Sequence, residues 1–177
     1  SKAENIKDFQ IEGISLYDSL LNYYSKTQIE KVPRPLFYKD KTYTTVGFNV
    51  NSDNYDRVKF GFKIGDESYQ IVGLTGLKYF NNRVKDCYNY QDKIINEIKT
   101  LFNNSNVIGP DFKKFSYDKN GSSRQVYLKL SKGDFVGVQC KKFGKELKKK
   151  YSHYRDNLTV SIFSKDYNYW LVNKAFK

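Results

Sequence analysis

Apolar and polar residues alternate along much of this chain. Val58, Phe60, Phe62 and Ile64 alternate with Lys59, Gly61 and Lys63, which predicts a strand with one buried face. Tyr43, Val46, Phe48 and Val50 predict a strand before it. Tyr69 to Leu74 predicts one after it, across the turn Gly65-Asp66-Glu67-Ser68. Val126, Leu128 and Leu130 predict a fourth strand. Ser131-Lys132-Gly133-Asp134 turns the chain, and Val136, Val138 and Cys140 share one face of the returning strand. Leu158, Val160 and Ile162 predict the last. Loops this short favour antiparallel neighbours.

Helical spacing appears three times. Leu16, Leu20 and Tyr24, with Leu21 beside them, form a stripe that predicts a helix over residues 14–31. Ser15 and Asp18 stand where a capping box would place them, and Pro33 and Pro35 end the run. Val84, Cys87, Tyr88, Ile94, Ile95, Ile98, Leu101 and Phe102 predict a helix over 82–103, stopped by Asn103-Asn104-Ser105. Ser164 caps a final helix, 165–175, with Tyr167, Trp170 and Leu171 inward. Residues 104–122 read as a loop. The expected fold is one α+β domain over 1–177, an antiparallel sheet with packed helices in the order α-βββ-α-βββ-α. Val58-Lys59-Phe60-Gly61-Phe62 and Val126-Tyr127-Leu128-Lys129-Leu130 are each followed by Gly-Asp at the same offset. This suggests two helix-plus-three-strand halves, although a shared hairpin recipe produces the same match.

Composition adds constraints. The 177 residues are 39% hydrophobic and 17% aromatic, enough for a core. No apolar run approaches the ~20 residues of a membrane span, so a soluble protein is expected. Met is absent even at position 1, which points to a processed N terminus and an exported, periplasmic or secreted protein. Cys87 and Cys140, the two cysteines, form either one disulfide or two buried thiols. Their inward positions and the processed terminus favour a disulfide tying helix 82–103 to the sheet.

The net charge is +12. Such a charge attracts polyanions, namely nucleic acid, anionic lipid or acidic polysaccharide. Lys141, Lys142, Lys145, Lys148, Lys149, Lys150 and Arg155 crowd one segment, 141–155, with Phe143, Tyr151 and Tyr154 among them. Cations for phosphates and rings for bases are what single-strand binding uses, whereas a solvated connection between strands has the same composition.

Catalytic patterns are weak. His153, the one histidine, lies on that polar connection, and Cys87 is on a helix face where a thiol is inert. Gly144-Lys145 lacks the rest of a phosphate loop. Asp53, Asp56 and Asp66 read as turn residues and form no metal site. No cofactor is expected. The reading leans away from an enzyme and toward a binding or interaction domain, with polyanion binding through 141–155 as the alternative. An enzyme with acids scattered along the chain is the third reading.

Several short pieces occur in a fixed order. They are Ile11-Glu12-Gly13-Ile14-Ser15-Leu16 with Asp18-Ser19-Leu20-Leu21, then Tyr55-Asp56, then Asp86-Cys87-Tyr88 with Leu101-Phe102. Asp156-Asn157-Leu158-Thr159-Val160-Ser161-Ile162 with Trp170-Leu171 completes them. Together they span most of the chain, which resembles a family of small proteins of SAR11-type marine alphaproteobacteria. The resemblance implies an export signal and cysteines at both places. No function is assigned to that family, so no functional residue carries over. The chain departs from it at Lys141-Lys142-Phe143-Gly144-Lys145, where the family is acidic and aromatic.

Overall fold

The structure, a computed structural model, describes residues 5–102 and 106–177. Its frame is a seven-stranded, wholly antiparallel sheet. The strands are β1 (Tyr43–Asn49), β2 (Arg57–Lys63), β3 (Gly73–Tyr79), β4 (Asn106–Lys114), β5 (Ser122–Lys129), β6 (Phe135–Lys142) and β7 (Asn157–Phe163). Their order across the sheet is β1-β2-β3-β7-β6-β5-β4. Two three-strand meanders therefore flank a central β7, and Val58 and Val126 sit on the middle strand of each.

The alternation explains the two faces. Val58, Phe60, Leu74, Val136, Val138, Val160 and Ile162 point to one side and are fully buried. Helix α2 (Val84–Leu101) covers that side with Cys87, Ile94, Ile95 and Ile98. Gln91 lies among them, also fully buried, and its Nε2 donates to the carbonyls of Arg124 (3.0 Å) and Val138 (2.8 Å). A buried amide is tolerated only when it is bonded in this way. Cys87 and Cys140 form a disulfide that joins α2 to β6, with Cα atoms 6.0 Å apart. Leu101, expected inward, is exposed, because Phe102, packed against Phe9, makes the core contact at that end of the helix.

The α+β class and the antiparallel sheet are as expected, but the α-βββ-α-βββ-α order is not. No helix spans 14–31. Tyr17 has a positive φ, its N–H donates to the Ile71 carbonyl (2.8 Å), and Leu20 N donates to Tyr69 O (3.0 Å). Pairing with 69–71 replaces helical bonds. Leu16 and Leu20 still point inward, but from a turn and a short 3-10 helix, Leu20–Asn22. The helix that forms, α1 (Lys26–Lys31), starts at a Ser25–Gln28 capping box. Residues 69–71 serve that pairing, Val72 bonds Gly61 and Ser164, and the regular strand β3 begins at Gly73. Half of the expected Ser15 box survives, in which Asp18 accepts from Ser15 N (3.1 Å).

The expected loop 104–122 contains β4, an edge strand exposed almost throughout. Its register shifts between Ile108 and Asp111, around Pro110. Pro fits only at an edge or an irregularity, and the solvated strand lacks the alternation that marks a buried one. The stop at Asn103-Asn104-Ser105 lies outside the described residues. The Lys-rich connection holds a short helix, α3 (Lys145–Lys150). Helix α4 (Lys165–Asn173), capped by Ser164 as expected, packs on the second face of the sheet. Its Tyr167 ring lies flat over Gly61 and Gly73, where a Cβ on Gly61 would come within 2.6 Å of the ring.

Candidate anion site on the second sheet face

The second face is polar. Strand register places Gly47, Lys59, Thr75 and Ser161 in one row, and Arg57, Leu77, Thr159 and Gln139 in the next. Lys141 follows on β6, opposite Asn157. Two walls rise from this floor, α4 with Tyr167 and Leu171, and the segment after α1 with Pro33, Pro35 and Phe37. They enclose a groove of about 490 Å³. Thr75 and Ser161 hydroxyls bond each other at 3.0 Å in its centre.

Three cations share the groove: Arg57, Lys59 and Lys141. The Arg57 guanidinium lies flat on β1. Gly47 makes room for it, since a Cβ there would sit 2.6 Å from Nη2. Arg57 donates only long bonds, 3.4 Å to Gly47 O and 3.5 Å to Asn49 Oδ1. Its buried Nε has no partner. A guanidinium carries five donors, so most of this capacity is unused. Lys59 is exposed as a residue, but desolvation of its ammonium in the groove lowers its pKa, and the Arg57 charge lowers it further. Lys141 is lowered by burial first and by Lys59 second. Both effects disfavour an ammonium ion, and an anion in the groove would reverse them.

Among the described residues, no carboxylate lines this groove. Four other concavities each contain at least one. The largest, about 950 Å³, lies under Lys142, Lys145 and Lys148 but also holds Glu146 and Asp156. There Asp156, itself buried, accepts from Phe143 N (2.8 Å), Asn82 N (3.0 Å) and Lys148 Nζ (2.9 Å).

The segment 141–155 does not form one face. Lys141 belongs to the groove, and Lys148 is tied to Asp156 and Asn82. Arg155 stacks on Tyr79 at 3.7 Å and bonds Asn81. Lys142, Lys145, Lys149 and Lys150 are exposed, with Lys150 over Tyr151. Tyr151 and Tyr154 pack on one another and on His153, and Tyr154 also meets Phe143. These rings fill a cluster more than they offer a free stacking platform. Arg57 and Lys59 were not singled out from the sequence. Their signal was the set of cations at alternate positions of β2, Arg57, Lys59 and Lys63, interrupted by Gly61, a pattern shared with any solvated strand face.

No protein-family model matches this chain, and no curated protein or solved structure matches it. Among the described residues, no helix is long and apolar enough to cross a membrane. No three His, Cys, Asp or Glu side chains among them converge as metal ligands.

Proposed function

We propose that this chain is a non-enzymatic, exported binding domain whose ligand carries an anionic group, held in the groove by Arg57 and Lys59, with Lys141 adding positive charge from across the sheet. The observation that carries this reading is three cations in one concavity without a carboxylate. Neutralising them from within the protein would have been cheap, and leaving them mutually repelling disfavours the empty groove. The Cys87–Cys140 disulfide supports export, because such bonds persist in oxidising compartments.

Isothermal titration with pyrophosphate tests the site. Arg57→Gln and Lys59→Gln should each weaken binding about 10-fold or more, the loss expected for one charge-assisted hydrogen bond. Wild-type affinity in both variants, or no pyrophosphate binding at millimolar concentration, overturns it. The second reading places a polyanion along Lys142, Lys145, Lys149 and Lys150, and is favoured by their exposure. In that case heparin would bind Arg57→Gln normally, and neutralising Lys145, Lys149 and Lys150 together would abolish binding.

A further inference from the structure

The two ends of the groove differ in chemistry. At one end the floor is Gly61, Gly73 and Phe163, roofed by Tyr167 of α4, to which Phe37 is joined through Tyr38; Leu171, Pro33 and Pro35 also line the groove. At the other are Arg57, Gln139 and Lys141, with Lys59 between the ends. Register fixes this order: Gly61 pairs with Gly73 and Gly73 with Phe163, one row from Lys59 and two from Arg57. Rows in a sheet recur along the strand at about 3.3 Å per residue, so the apolar end and the guanidinium row are about 13 Å apart.

The apolar end also opens outward. Phe37 is 64% exposed and stacks on Phe176 at 6.2 Å, and Leu36 beside it is 92% exposed. Val172, 68% exposed, lies on the outer side of α4. Exposed apolar side chains beside a groove mark a binding place, and Phe37, which itself lines the groove, links it to Phe176.

We infer that the groove takes an amphipathic anion: a carboxylate or phosphate group held by Arg57 and Lys59, with Lys141 attracting it from across the sheet, joined to an aliphatic or aromatic body that lies along Phe163, Leu171 and Phe37. This rests on the anion-site reading and adds the ligand class to it. The head satisfies the free donors of Arg57, and the body covers side chains that water now wets. Free amphiphile and lipid headgroup share this chemistry.

Titration of the oxidised full chain with acetate, octanoate and dodecanoate, all below micelle formation, separates the two ends. Affinity should rise at least 100-fold from acetate to dodecanoate. Phe37→Ser, at an exposed position, should reduce that ratio to below 10-fold with the urea unfolding midpoint as in wild type. Leu171→Asn should do the same. Dodecyltrimethylammonium, the same body with a cationic head, should not bind. Equal affinity for acetate and dodecanoate overturns the inference, as does a chain-length dependence untouched by both variants. Loss of pyrophosphate binding in wild type would instead remove the underlying anion site. Co-sedimentation with vesicles of anionic phosphatidylglycerol, compared with phosphatidylcholine, distinguishes the sources. Binding of vesicles that dodecanoate displaces assigns the groove to a lipid headgroup, and dodecanoate binding without vesicle binding assigns it to a free amphiphile.

Discussion

Asp156 connects three pieces of chain that are distant in sequence: the start of α2 through Asn82, the end of β6 through Phe143, and α3 through Lys148. Asp156→Asn removes the charge facing a mostly buried ammonium and sets an amide NH2 against a backbone donor. The expected loss is about 3 kcal/mol of stability, within the range for breaking a buried pair, read from urea unfolding midpoints. A loss below about 1 kcal/mol would mean that water replaces the carboxylate. Nothing local predicts this role, since an Asp before a strand reads as an ordinary turn residue. Gln91 is similar. It interrupts the apolar stripe of α2 between Cys87 and Ile94 and was not marked by the spacing, and its carbonyl partners on β5 and β6 exist only in the folded sheet. Arg57 and Lys59 were legible as one polar face of a strand. That this face is walled was not.

At the scale of elements, long periodic segments read correctly and short ones did not. Helix α2 has 18 residues and repeats its apolar spacing for five turns. The stripe at Leu16, Leu20 and Tyr24 has three members, too few to exclude a turn followed by a 3-10 helix. There the deciding bonds come from residues 69–71. The edge strand β4 escaped notice because it is solvated. Both cysteines were legible as inward, and the disulfide they form closes a loop of 53 residues. In the chain-entropy account such a loop contributes about 4 kcal/mol. Cys87→Ala with Cys140→Ala should lower the unfolding free energy by roughly that amount in urea, with the far-ultraviolet spectrum unchanged. Wild-type stability in the double variant would show that packing of α2 suffices alone.

At the scale of the molecule, pH acts on two groups of residues in opposite directions. Burial raises the phenols of Tyr17, Tyr55 and Tyr167 well above the ordinary tyrosine range, and the Asp134 hydrogen bond adds to Tyr17. Tyr23 rises to about 12, chiefly through its bond to Asp18. In the unfolded chain these groups ionise near pH 10. Their stabilising contribution is therefore complete below pH 10 and is lost as pH climbs toward the folded values. Lys59 and Lys141 run the other way, because their lowered values make folding more favourable as the ammonium deprotonates. The raised tyrosines outnumber them, so urea midpoints should fall above pH 10. Anion affinity should fall earlier, as pH rises from neutral toward the ordinary lysine range and the two ammonium groups discharge. Arg57 keeps its charge throughout, which leaves a residual affinity. Affinity constant from pH 7 to 10 would place the ligand elsewhere.

The sequence by itself determined the class of the fold, six of the seven strands at least in part, the long and final helices, and the inward placement of both cysteines. Each rests on a period of 2 or 3.6 sustained long enough to bury one side. Only the tertiary structure decided the central place of β7, the fate of residues 14–31 and the dispersal of the Lys-rich segment. It also created the groove. Arg57 and Lys141 are 84 positions apart by residue number, on strands separated by two others. Periodicity states which way a side chain points, but only sheet order states which side chains it meets.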